Sequence, residues 1–228
     1  MITNNIASPE AIEETPATEQ KSPTVVDKIA NVFSWVFVPT LVPFYAMILI
    51  LWTSYLSMIV PTGTRVVVSL MTLGLTCALP MLIILILKFL GIISDIGLNK
   101  RSERPIPYVV VLVCYVFTAW YLYAHGAPDW VTMFYAGGAV ASAVNFAVNF
   151  FWKISAHSAA MAGVCYVLIK IAHTTPEPST VAWLMIWLML TGLLGASRIW
   201  LRRHTLLQVM CGYLNGFVCV WLMSLIHY

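Results

Sequence analysis

Between Ser197 and Gln208 the chain reads SRIWLRRHTLLQ, three arginines and a histidine held between two long apolar runs. His204 and Gln208 are four residues apart. On a helix that spacing puts one side chain above the other, so Gln208 can reach the imidazole and fix its orientation. Arg198, six residues before His204, adds a cation. A cation, a histidine and a polar partner for that histidine suit chemistry on an anion. The plainer role for Arg198, Arg202 and Arg203 is a basic flank that sets membrane orientation.

Two other polar islands interrupt the apolar sequence. SDIGLNKRSERPIP, from Ser94 to Pro107, carries Lys100, Arg101 and Arg104; KISAHS, from Lys153 to Ser158, carries Ser155 and His157. Arginine grips phosphate through a planar fork and lysine as a point charge. Phosphoryl transfer is largely positioning and charge stabilisation, which is what fixed cations supply. One histidine can attack phosphorus while the other protonates the leaving oxygen. No carboxylate cluster suggests Mg²⁺ and no Cys/His spacing suggests zinc, so neither a metal nor a cofactor is expected. The five cysteines lie inside apolar runs and are read as packing.

Those islands must be positioned by membrane helices. Of the 228 residues, 61% are apolar and only 9% charged. Soluble domains carry about 25% charge, so this composition excludes one. The expected fold is an all-α polytopic transmembrane bundle of about six to seven segments. Residues 1–24 form a polar tail rich in Glu, Thr and Pro that is expected to be disordered; residues 25–228 form the membrane domain. Val26 to Val38 reads as an interfacial helix, Pro39 and Pro43 as a kink, and Leu41 to Val60 as the first crossing. Further crossings are expected at Val66–Leu87, Tyr108–Ala124, Trp130–Phe151, Ala159–Ala172, Val181–Ala196 and Leu206–Leu225. The islands follow the second, fourth and sixth of these, so all three emerge on one side together with the N-terminus. No cleavable leader is read in the first residues, and the first membrane segment is expected to be retained.

In their order and spacing the islands resemble the type 2 phosphatidic acid phosphatase superfamily, histidine-dependent membrane lipid phosphatases that include undecaprenyl diphosphate phosphatases. The family's third motif, S-R-x5-H-x3-D, is similar to Ser197, Arg198 and His204, with Gln208 where the aspartate would stand. Its second, P-S-G-H, resembles Ile154-Ser155-Ala156-His157. Its first, K-x6-R-P, matches Arg104-Pro105, with Gly97 in the lysine's place, so Lys100 or Arg101 would stand in. The resemblance spans Ser94 to Gln208. It implies that His204 is a nucleophile forming a phosphohistidine, that His157 protonates the leaving group, and that Ser155, Arg104, Arg198 and Lys100 or Arg101 hold the phosphoryl oxygens, without a metal.

The expectation is therefore metal-independent hydrolysis of a phosphomonoester or diphosphate of a lipid, by an integral protein of a bacterial inner membrane. Its partners would be membrane lipids and the lipid phosphate substrate, not nucleic acid. An amide at 208 fixes the histidine tautomer but cannot stabilise an imidazolium as a carboxylate does. This leaves a second reading, a weakly active or non-catalytic binder of anionic lipid. Asp95 and Glu103 are the acids nearest by island that could substitute. A membrane prenyltransferase ranks lower, because it needs paired aspartates and Asp95 stands alone.

Overall fold

The computed structural model describes residues 24–98, 100–175 and 177–226. The expected disorder of the N-terminal tail falls almost wholly outside them. Among the described residues there are helices and no strands. The chain is an all-α polytopic bundle and an integral membrane protein: six helices are long and apolar enough to cross a bilayer. Its outer faces agree. Phe89 and Phe151, for example, are 92% and 85% exposed, which lipid tolerates and water does not.

The first helix, α1 (Val25–Val36), begins at a capping box: Thr24 Oγ1 accepts from the Asp27 amide while Asp27 receives the Thr24 amide. The expected interfacial helix followed by a separate crossing is corrected here. α1 and α2 (Val42–Thr53) together make one broken crossing. Trp200, at the end of helix Pro178–Trp200, donates to Asp27; Phe37 packs edge-on against Trp187; Thr180 donates to the Thr53 carbonyl. The pair thus follows that helix from one end to the other, a run of about 30 Å at helical rise, near the hydrocarbon thickness. Pro39 and Pro43 sit at the break, because a proline cannot donate within a continuous helix. Two carbonyls at the break are capped by tyrosines instead, Tyr115 to Pro39 and Tyr135 to Pro43.

After a short turn of helix, α3 (Leu56–Ile59), the remaining elements are α4 (Thr62–Phe89), α5 (Pro105–Ala124), α6 (Asp129–Asn149), α7 (Ala156–Thr174), α8 (Pro178–Trp200) and α9 (Leu206–Ser224). α4 contains one wide turn at Gly74–Ala78. It lies just before Pro80, whose ring would crowd the carbonyl four residues back in a regular helix; the wider turn accommodates it. α5 and α7 start earlier than hydropathy alone suggests, at Pro105 and at Ala156. In both cases the helix extends into the polar island, next to a buried island residue, Arg104 before α5 and Ser155 before α7.

α7 packs closely against α9. A Cβ on Gly216 would overlap the Ala159 backbone, and one on Gly212 would strike Ser155 and Ser158. Small residues let the backbones approach, as in other membrane bundles. The consequence is local to the site: this contact brings the start of α7, with Ser155 and His157, against the start of α9, with His204 just before it.

Candidate functional site

The three islands meet. Arg101 donates to the Phe151 carbonyl, joining the first to the second, and the Ser155 amide donates to the Gln208 carbonyl, joining the second to the third.

The Ser197–Gln208 turn is built by two caps. α8 closes when the amides of Arg203 and His204 both return to the Arg198 carbonyl. That closure puts Arg202 in the left-handed region, φ 52°, the usual geometry past a helix end. Three residues later Thr205 caps α9, its Oγ1 accepting from the Gln208 amide and Gln208 Oε1 accepting from the Thr205 amide. His204 is pinned between the caps and is 7% exposed. Its Nδ1 lies 3.1 Å from Gln208 Oε1. Because that oxygen already accepts from Thr205, it is an acceptor, so Nδ1 must donate. In the neutral ring the lone pair is then on Nε2.

His204, His157, Arg104, Arg198 and Arg203 line one cavity of about 330 Å³. The cavity continues into the apolar interior between Pro43, Phe134, Tyr135, Val164 and Val220. Arg104 and Arg198 are each 7% exposed. Arg104 spends its Nε on the Leu98 carbonyl at 2.8 Å. Arg198 Nε is buried and has no acceptor among the described residues. Leu98 itself is in the left-handed region, φ 50°, uncommon for a branched side chain, so the loop that delivers its carbonyl to Arg104 is held in a costly form.

Burial and like charge shape the titrations. Burial lowers Lys153, and Arg104, Arg198 and Arg203 lower it further. Burial also lowers Arg104. His204 is pushed down to about 3, first by burial and then by Arg198, Arg104 and Lys153, against a smaller upward effect of Gln208. Asp95 is the carboxylate on the cavity wall; its Oδ1 accepts from the Gly97 amide.

The sign of the resulting pH dependence is definite. His204 is depressed in the folded state, so between its ordinary value of 6.5 and about 3 the unfolded chain binds the extra proton. The contribution is intact above pH 6.5 and is lost as pH falls through that window, a loss on the order of a few kcal/mol. Glu103 and Asp27, both lowered by hydrogen bonds, act in the same direction at the acid end. We expect the unfolding midpoint in detergent to fall as pH goes from 7 to 4, and the fall to be blunted in His204→Asn. A midpoint that stays level in the wild type would contradict a buried, neutral His204.

Of the site residues expected from the sequence, His204, His157, Arg104 and Arg198 line one cavity and Gln208 contacts the His204 ring, while three residues expected on phosphate lie elsewhere. Ser155 is fully buried and caps α7, its Oγ accepting from the Ser158 amide and hydroxyl. Lys100 is exposed and paired with Glu103 at 3.4 Å. Arg101 turns to Phe151. None of the three lines the cavity. Glu103 accepts from Ser94 as well as Lys100, so it is part of the loop's own structure and does not stand in for a carboxylate at His204. His157 Nε2 faces the Ser34 carbonyl at 3.3 Å and must donate to it, leaving Nδ1 as the ring's other nitrogen. Arg203 was read as an interface cation, yet it reaches the cavity. The signal was its position beside His204, which a flank reading discards.

Compared with family models, curated proteins and solved structures, the chain finds no match in any of the three. Fold and site alone therefore define its class: an integral membrane helical bundle with a buried, cation-rich cavity that opens on an apolar interior.

Proposed function

We propose that this chain is a lipid phosphate phosphatase of the type 2 phosphatidic acid phosphatase kind, acting in a bacterial inner membrane without a metal. One observation carries the reading. Two guanidiniums, Arg104 and Arg198, each 7% exposed, face the same cavity as His204, and Arg198 Nε has no protein acceptor among the described residues. Two desolvated charges of one sign are costly without a counter-ion, and arginine forks suit phosphate. The apolar continuation of the cavity suits the substrate's hydrocarbon, at about 0.8 kcal/mol per buried CH₂.

In this reading His204 Nε2 attacks phosphorus as the bond to the lipid oxygen breaks. The lipid phosphate binds as its monoanion and passes its proton to His157 Nδ1, Nε2–H being committed to Ser34, and the leaving oxygen takes that proton from the resulting imidazolium. Water then attacks phosphorus, returns a proton to His157 and breaks the phosphorus–nitrogen bond, releasing phosphate. Arg104, Arg198 and Arg203 hold the phosphoryl oxygens throughout. Burial favours a neutral His204, which keeps its Nε2 lone pair available.

The test is phosphate release from a single-chain lipid phosphomonoester and a lipid diphosphate, by purified protein in excess EDTA. Release that survives chelation is expected. Release that requires added Mg²⁺ would overturn the proposal. The amide at Gln208 favours a second reading, retention of anionic lipid without hydrolysis, and binding with no release would establish it.

A further inference from the structure

The cavity has one more polar wall residue, on a helix whose sequence suggests only packing. Asn145, on α6, is 4% exposed and lines the cavity. Its orientation follows from its neighbours. Asn215, on α9, turns its amide nitrogen to the Ala141 carbonyl and to Asn145 Oδ1, both at 3.0 Å. A carbonyl cannot accept from an oxygen, so the Asn215 atom is nitrogen, and the Asn145 atom it meets is oxygen. Cys219 supports the same assignment by donating to Asn215 Oδ1. Asn145 Nδ2 is therefore the free end of a clamped amide, with no acceptor for it among the described residues.

Its height in the membrane matches the site. Asn149 donates to the Arg101 carbonyl and Ser142 to the Tyr108 carbonyl. These two bonds fix an antiparallel register of α6 on α5 that sets Asn145 level with Arg104 and Pro105. On the other side, Gly212 against Ser158 and Gly216 against Ala159 set Asn215 level with the first turn of α7, which carries His157. Asn145 thus stands where the cationic end of the cavity gives way to its apolar end, with Tyr135 and Val220 beyond.

We infer that Asn145 is a ligand-binding residue, whose Nδ2 donates to an oxygen of the phosphate ester where the head group meets the tail. This rests on the lipid phosphate reading above. The amide is the right group there: it donates without adding a further charge to a cavity that already holds Arg104, Arg198 and Arg203, with Asp95 on the same wall. Because Asn145 lines the cavity and its oxygen is held by Asn215, its amide N–H is the group left to meet a ligand oxygen there.

The test uses Asn145→Asp and Asn145→Ala in the full chain, with dodecyl phosphate and inorganic phosphate as probes. Asn145→Asp keeps an oxygen toward Asn215 and so keeps the clamp, but exchanges the donor for a negative charge. Dodecyl phosphate binding is expected to weaken about tenfold to a hundredfold, the range for a hydrogen bond to a charged group, with the unfolding midpoint unchanged. Asn145→Ala is expected to weaken it less. Wild-type affinity in Asn145→Asp would overturn the role of Asn145 while leaving the phosphatase reading intact. A wild-type protein that binds neither probe would remove both.

Discussion

His204→Ala is expected to reduce phosphate release by about 10⁴-fold or more, the scale on which removing a covalent nucleophile acts. Binding of the lipid phosphate should change far less, because Arg104, Arg198 and Arg203 remain on the cavity wall. The split between turnover and affinity is the informative part. A basic residue that merely attracts the head group would show the opposite pattern, weaker binding with turnover per bound ligand preserved. Alkaline quenching during turnover should leave phosphate on the wild-type protein and none on His204→Ala, since a phosphohistidine survives base. Equal labelling of the two proteins would place the nucleophile elsewhere.

How much of this was legible in the sequence depends on what each residue's role requires. The bundle was readable because hydropathy is a property of long segments, and six helices fall on the expected runs. The site pairing of His204 and Gln208 was readable because both belong to one stretch, and local spacing fixes local geometry. The roles of Arg101 and Ser155 were not, because contacts far apart in sequence decide them, whereas Lys100 is drawn away by a local pair three residues on. Arg101 is taken by Phe151 and Lys100 by Glu103, while Ser155 is enclosed where Gly212 lets α9 approach. The first crossing was misread for a similar reason: α1 is amphipathic enough to lie on a surface, and only its packing along α8 shows that it descends. Asn145 was invisible because an asparagine in an apolar run has no signature until its partner on another helix is known.

The cavity's electrostatics also bear on why an amide is tolerated at position 208. Burial and three neighbouring cations already favour a neutral imidazole. The amide orients that neutral ring at no charge cost. In the proposed reaction, a bound phosphate would offset the charge of Arg198 and Arg104, and a proton or a phosphoryl group on His204 would be easier to carry. The amide contributes little to that second state, and there a carboxylate would matter most.

Gln208→Glu should therefore raise phosphate release, by about a hundredfold or more if the general effect of an amide in place of a triad carboxylate, about 10⁴-fold, applies even in part. Glutamate rather than aspartate is the variant that fits this chain. It keeps the length that puts Oε1 3.1 Å from His204 Nδ1, and it preserves the capping box, since a glutamate at this position accepts from the Thr205 amide as Gln208 does. Aspartate is one methylene shorter and would have to choose between the cap and the ring. The carboxylate also raises His204 from its depressed value, so the acid limb of the pH–rate profile should move upward together with the rate, and the His204 share of the acid loss of stability should shrink, because its folded and unfolded values lie closer together. A faster enzyme with an upward-shifted acid limb would tie Gln208 to the imidazolium. An unchanged rate in a folded Gln208→Glu protein would show that charge on His204 does not limit turnover.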